Sequence, residues 1–372
     1  MTAAPDEDLI QLLGPDGSRN HEAAYAPRVA HLDREALESL YRDMALVRRF
    51  DTEATALQRH GELGLWAPCL GQEAAQVGSG RAMAVQDYAF PSYREVGVAR
   101  ARGLDLRRLL HLFRGEDHGG WDPAEHNFHL YTLVIGAQTL HATGYAMGIQ
   151  RDGDVGTGDQ QRDRAVIAYF GDGASAQGDV NESLTYAAVN DAPVVFFCQN
   201  NQWAISEPTS RQSRVPLYHR GRGFGVPSVQ VDGNDVLACY AVTAEALERA
   251  RSGGGPTFIE ALTYRMGAHT TSDDPTRYRS RAEEDYWRDR DPIDRLAAHL
   301  RAEGTPETFF EELQEEEEAF GAEIRDYCHS IGTPPQERMF AHVYATENRQ
   351  VRSDQEWFAS YQEGFAPEEV SR

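Results

Sequence analysis

The sequence predicts an α/β fold: a parallel sheet flanked by helices. VIAYF (166–170) and VVFFC (194–198) are short, continuous apolar runs, the pattern of strands buried on both faces. A helical pattern lies between them, from about Asp179 to Val189, with Val180, Leu184, Ala187 and Ala188 on one face. Strand, helix and strand within about 33 residues make a βαβ unit, hence parallel strands joined by a right-handed crossover. SVQVDG (228–233), a helix from about Asp235 to Arg251 and FIEALTY (258–264) repeat the alternation.

The remaining elements follow in chain order. Residues 1–32 are mixed and polar and read as an N-terminal arm. From Asp33 the pattern turns helical, with Leu37, Leu40, Met44 and Val47 at three- and four-residue steps and Asp33 as the N-cap. Residues 60–150 alternate helical stretches with Gly/Pro-rich turns. Asp179, followed three positions later by Glu182, predicts a capping box on the central helix. Beyond Tyr286 the chain is helical and acidic, and EELQEEEEAF (311–320) reads as a solvated helix face. The division expected is an arm (1–32), one main domain (33–300) and an acidic helical C-terminal extension (301–372).

Composition narrows the function. Of 372 residues 41% are hydrophobic, and the formal net charge is −23, a surface that repels nucleic acid and anionic membranes. All 36 cationic residues are arginine; there is no lysine. That excludes a lysine Schiff base to pyridoxal phosphate, a P-loop lysine and a lysine general base. Cys69, Cys198, Cys239 and Cys328 are widely spaced with no C-x-x-C pair, which fits reduced thiols in a cytoplasmic protein rather than a zinc site. MTAAPDEDLI has neither a basic nor an apolar stretch, so no secretory signal is expected, and no apolar run predicts a membrane span.

Two motifs bracket the βαβ unit. GDGASAQG (171–178) follows the first strand and QNNQWAIS (199–206) the second, so both fall at the carboxyl edge of the sheet, where open α/β folds bind ligands. Glycines there let backbone approach a phosphate, and the following helix offers free amides. Gly171, Gly173 and Gly178 are not spaced as a dinucleotide G-x-G-x-x-G, which disfavours a nicotinamide enzyme. Asp172 would also repel a bare diphosphate. A magnesium ion between them reverses that sign, with Asp172, Asn201 and a backbone carbonyl just after Asn201 as oxygen ligands.

The GDG…NN pair resembles the thiamine diphosphate motif. From about residue 33 to residue 300 the chain resembles the alpha subunits of 2-oxo acid dehydrogenases, the branched-chain 2-oxo acid and pyruvate dehydrogenase family. LWAPCLGQEAAQVGSG (65–80), FPSYREVG (90–97), LVIGAQ (133–138) and TYRMGAHTTSDDPTRYRSR (263–281) carry the likeness in order. It implies the thiamine diphosphate-binding fold, with thiamine diphosphate and magnesium as cofactors. Asp172, Asn201 and the backbone of Trp203 would hold magnesium. Tyr93, Arg94, Arg265 and His269 would contact the diphosphate, Gly171, Gly173 and Ala174 would line it with backbone, and Leu133 and Ile135 would meet the aminopyrimidine through main-chain atoms. His269 would also act near the reacting carbon in lipoyl transfer. His118, His126, His129 and His141 read as structural or solvated.

The sequence departs from the family pattern at three places. Trp203 stands where tyrosine is usual, Ala67 and its neighbours lack a histidine of some pyruvate-specific members, and Gln199 stands where some branched-chain members have arginine. The implied reaction is oxidative decarboxylation of a 2-oxo acid and reductive acylation of a lipoyl group on a partner acyltransferase. The resemblance places a required glutamate on a beta subunit, so two alpha and two beta chains would form the enzyme and this chain alone would be inactive. The short spacing in YRMGAHTTSDD favours branched-chain acids, with pyruvate second and acetoin third. A non-catalytic scaffold subunit is the reading of another class. The intact Asp172, Asn201, Tyr93, Arg94 and His269 argue against it.

Overall fold

The structure, a computed structural model, describes residues 9–365. Most of the N-terminal stretch read for a signal lies outside the described residues, as do positions 366–372 of the expected extension. The chain divides into two compact units between Cys328 and His329.

The first unit is organised by five parallel strands: β1 (Tyr88–Phe90), β2 (Val166–Gly171), β3 (Val194–Asn200), β4 (Ser228–Asp232) and β5 (Thr257–Leu262). Their order across the sheet is β1-β2-β3-β5-β4. β2 and β3 are direct neighbours, with Gly171 opposite Gln199. The continuous apolar runs are explained by burial on both faces. Val166, Ala168 and Phe170 pack with Ala142, Ala146 and Ile149 of helix α4 (Ala137–Asp152) and with Val180, Leu184 and Ala187 of helix α5 (Gly178–Val189). On the opposite face Tyr169 lies against Phe197, and its hydroxyl donates to Ser79 Oγ at 3.1 Å on helix α2 (Glu73–Arg81), which packs on helix α3 (Val96–Ala101). Each such side chain contributes roughly 1.5–3 kcal/mol on burial, and truncating Phe196, fully buried in β3, to alanine costs about 3–5 kcal/mol.

Helix α1 (Arg34–Arg59) starts where expected: the Asp33 carboxylate accepts from Ala36 N at 3.0 Å. Helix α6 (Val236–Arg251) starts at Asp235, one of whose oxygens accepts from Leu237 N and Ala238 N at 3.0 Å each. Its second oxygen accepts from Leu12 N and Leu13 N at 2.6 Å each, so one carboxylate both caps the helix and ties the arm to the sheet edge, where Ile10 bridges Val231. Burial and the neighbouring charge of Asp232 raise that carboxyl to about 6.

The capping box does not form. Helix α5 begins two residues early at Gly178, so Asp179 lies inside the first turn and Gln177 is the N-cap with no side-chain bond. Asp179 still sits favourably near the positive end of the helix. Further along, helices α7 (Pro292–Ala302) and α8 (Glu307–Ser330) follow, and Leu313 packs against Ala45 and Leu46 of α1, while most glutamates of the acidic run face solvent. The second unit holds helix α9 (Arg349–Glu363), capped by Asn348 Oδ1 on Gln350 N at 2.9 Å, with Trp357 and Tyr361 exposed. Among the described residues no helix is long and apolar enough to cross a membrane.

Candidate active site

Because all five strands run the same way, their carboxyl ends deliver their following loops to one edge of the sheet. Gly171 at the end of β2 and residues after β1 (Ser92 to Glu95), β2 (Asp172 to Ala174), β3 (Asn201 and Trp203 to Ile205) and β5 (His269) line a cavity of about 260 Å³. Gln72, Ile135, Gly136, Gln138, Gln177 and Gln199 complete its wall.

The turn after β2 needs glycine at Gly173, where a Cβ would stand 2.7 Å from Ala204 Cβ. Close contact between the two loops therefore rests on a missing side chain. Gly136, with φ +89°, turns the chain so that Ile135 reaches the wall at the start of α4.

Asp172 is buried, and its Oδ2 accepts from Gln212 Nε2 at 2.8 Å and Thr209 Oγ1 at 3.3 Å. Both donors are neutral, and burial raises its carboxyl above the usual range. Asn201 donates through Nδ2 to Gln72 Oε1 at 3.2 Å, and its Oδ1 accepts from Trp203 N at 3.2 Å. A carboxylate, an amide oxygen and a nearby carbonyl form the hard oxygen set that suits magnesium. Among the described residues no cluster of three or more His, Cys, Asp or Glu side chains occurs, so the protein offers no all-side-chain cage. Buried Gln72 Nε2 and Gln138 Oε1, both on wall residues, have no protein partner, as fits a wall made for a polar ligand.

Arg94 is 6% exposed, donates to the carbonyl of Pro68, and reaches His269 O at 2.9 Å and His269 Nδ1 at 3.4 Å. Arg265 is fully buried behind the wall, with NH1 on Trp203 O at 2.9 Å and NH2 on Ile205 O at 2.8 Å and on the Tyr278 hydroxyl at 2.8 Å. Burial lowers it to about 10, still a cation at neutral pH. It holds a strained turn: Gln202 and Ile205 have φ of +71° and +57°, a region that a β-branched residue rarely enters.

His269 Nδ1 faces two guanidinium groups, Arg94 and, at 3.3 Å, Arg265. Both are obligate donors, so Nδ1 carries the lone pair and the ring proton sits on Nε2. Burial, then the charges of Arg94 and Arg265, lower its pKa to about 4, so the ring is neutral at pH 7. Asp273 holds the loop by accepting from His269 N at 2.9 Å and from the Tyr278 hydroxyl. The Tyr93 ring stands edge-on to His269, centroids 6.5 Å apart.

Tyr93, Arg94, Ile135, Gly171, Asp172, Gly173, Ala174, Asn201, Trp203 and His269 thus line one cavity. Arg265 stands one layer behind it, and Leu133 lies off the wall in an exposed stretch. His118, His126, His129 and His141 do not line it. Gln72, Glu95 and Gln138 also stand on the wall without any sequence signal of their own for binding, and so does Gln199, which the sequence marks only as a departure from the family pattern. Glu95 is 1% exposed on this wall and signals itself in sequence only by following Tyr93-Arg94.

Residues 41–337 match the family model described as "Dehydrogenase E1 component". The chain is 45% identical over 347 residues to the 3-methyl-2-oxobutanoate dehydrogenase subunit alpha of Mycobacterium tuberculosis (strain CDC 1551 / Oshkosh), covering 93% of this chain and 92% of the relative. It is 38% identical over 340 residues to the pyruvate dehydrogenase E1 component subunit alpha of Acholeplasma laidlawii, covering 90% and 95%. The same named subunit of Bacillus subtilis (strain 168) is 38% identical over 297 residues, covering 79% and 77%.

Proposed function

The chain belongs to the dehydrogenase E1 component family, and from that premise we propose that it is the alpha subunit of a branched-chain 2-oxo acid dehydrogenase. Members of this family are oxidoreductases that depend on thiamine diphosphate. The observation that carries the reading is the single cavity shared by Asp172, Asn201, Arg94 and His269.

Asp172, the Asn201 amide oxygen and the Trp203 carbonyl would hold magnesium. Arg94, Tyr93 and His269 would hold the diphosphate, with Gly171, Gly173 and Ala174 supplying backbone, while Arg265, buried one layer behind the wall, would act by holding the loop of Trp203 and Ile205. Arginine suits this task because its planar fork meets two phosphate oxygens. Leu133 and Ile135 would meet the aminopyrimidine through main-chain atoms. Thiamine diphosphate supplies, when bound, a nucleophilic carbon and an electron sink for loss of carbon dioxide from a 2-oxo acid. His269 keeps a proton on Nε2 at neutral pH, a donor available to the cavity and to the lipoyl-transfer step.

Among the described residues, Asp172 and Glu95 are the only carboxylates on the wall, and both already accept protein donors. That supports a second chain supplying the missing acid: a beta subunit, in a complex of two alpha and two beta chains, with a lipoyl-bearing acyltransferase as the next partner. Four unpaired, buried cysteines support a cytoplasmic location. The relative named for 3-methyl-2-oxobutanoate is the more similar of those compared, and it favours branched-chain acids over pyruvate. The intact magnesium and diphosphate residues disfavour a scaffold role.

Cofactor-dependent stability tests the reading. Magnesium with thiamine diphosphate should raise the Tm of the chain co-expressed with a beta subunit, and only that pair should turn over a 2-oxo acid. Turnover by the isolated chain, or no shift in Tm, would contradict it.

A further inference from the structure

Three buried side chains join the cavity wall to the sheet and to α2. Glu95 Oε1 accepts from Gln199 Nε2 at 2.7 Å; Gln199 Oε1 accepts from Gln76 Nε2 at 3.1 Å. Gln76 is fully buried, and Gln199 is 3% exposed. Gln76 Nε2 also donates to Arg94 O at 3.0 Å, and its Oε1 accepts from Gly97 N at 2.9 Å. Glu95 Oε2 accepts from Ser92 N at 2.8 Å and from Arg94 N at 3.2 Å, and the Ser92 hydroxyl donates to both of its oxygens.

Glu95 has no cationic partner among these bonds. A buried carboxylate on the wall of a site for an anionic ligand costs affinity unless it does something else. Here its acceptors, with those of Gln76, fix the backbone on both sides of Tyr93 and Arg94. Gln199, meanwhile, has its carbonyl taken by Gln76 and an amide proton taken by Glu95.

We propose that the buried chain Gln76–Gln199–Glu95 is a positioning device that aims Tyr93 and Arg94 at the diphosphate, with Gln199 acting through Glu95 rather than on the phosphate. The inference rests on the reading of this cavity as a thiamine diphosphate site. The chain makes one chemical demand: an amide at one of positions 95 and 199 and a carboxylate at the other. Gln199→Glu sets two buried carboxylates face to face. Glu95→Gln loses a charged acceptor for two backbone amides. Exchanging both at once restores one amide and one carboxylate.

The test is calorimetric titration of magnesium and thiamine diphosphate into the alpha–beta complex, comparing wild type, E95Q, Q199E and E95Q/Q199E, with the Tm of each apoprotein and the split between cofactor KM and kcat. The expected result is a loss of cofactor affinity of roughly tenfold to a hundredfold in Q199E, about tenfold in E95Q, and recovery to within about threefold of wild type in the exchange variant. Cofactor KM should rise more than kcat falls. If Q199E does not fold, E95Q against the exchange variant decides. Single variants that bind as wild type, lower Tm with unchanged affinity, or an exchange variant no better than the single ones would overturn the proposal. A wild-type complex that binds no thiamine diphosphate would overturn the functional reading and this inference together.

Discussion

The Arg265 guanidinium bonds the carbonyls of Trp203, at 2.9 Å, and Ile205, at 2.8 Å, across 62 and 60 positions of sequence. One cation thus secures the loop after β3 to the loop after β5. Lysine, a single ammonium without the planar fork, cannot span both carbonyls and the Tyr278 hydroxyl in this geometry. Arg265→Lys is expected to weaken cofactor binding by roughly tenfold to a hundredfold, read by titration of the alpha–beta complex. Equal affinity would remove Arg265 from the account.

The turn that Arg265 holds is strained at Ile205, which has φ of +57° and a half-exposed side chain. Glycine adopts that backbone without penalty. Ile205→Gly should stabilise the apoprotein by about 1 kcal/mol, since little apolar burial is lost and the left-handed penalty disappears. Thermal denaturation decides; a lower Tm would mean the side chain is packing rather than straining.

Asp172 gives a prediction of opposite sign for stability and for binding. Its folded pKa is raised by burial, so the ionised form is a cost above the ordinary carboxylate pKa and no cost below it. Asp172→Asn should therefore leave the apoprotein as stable as wild type or more so at pH 7, with the difference vanishing below about pH 4. Magnesium-dependent binding of thiamine diphosphate should fall at least about a hundredfold in the same variant. A variant that is destabilised yet binds normally would contradict both halves.

His269 has a folded pKa of about 4 against an ordinary 6.5. A depressed histidine adds stability that is fully present above the ordinary value and is lost as pH falls from there toward the folded one. His269→Asn should flatten the decline of Tm with pH across that window. An NMR titration of the ring in the wild type should show no inflection above about pH 5. An inflection near the ordinary value would mean that the arginines do not face it.

The sequence made legible whatever depends on short range. β2 and β3 were readable because burial on both faces leaves continuous apolar runs, and Asp33 and Asp235 because an N-cap acts within three residues. Asp172 and Asn201 were readable as a pair because adjacent parallel strands bring their ends together. Glu95, Gln76 and Gln199 were not, since a polar residue betrays its burial only through partners far away in sequence. Ile205 is β-branched, and its left-handed backbone belongs to the two-residue turn between the short antiparallel strands Trp203–Ala204 and Glu207–Pro208, a pairing that the residue itself does not announce. The capping box failed by two residues, because the N-cap of helix α5 is Gln177 rather than Asp179.

The most direct test of the account is decarboxylation by the chain co-expressed with its beta subunit, with magnesium, thiamine diphosphate and an artificial electron acceptor. Turnover of 3-methyl-2-oxobutanoate at a kcat/KM about tenfold or more above that for pyruvate is the predicted result, in line with what extra methyl groups contribute in an apolar pocket. A preference for pyruvate would overturn the substrate, and no turnover of either acid would contradict the account at its centre.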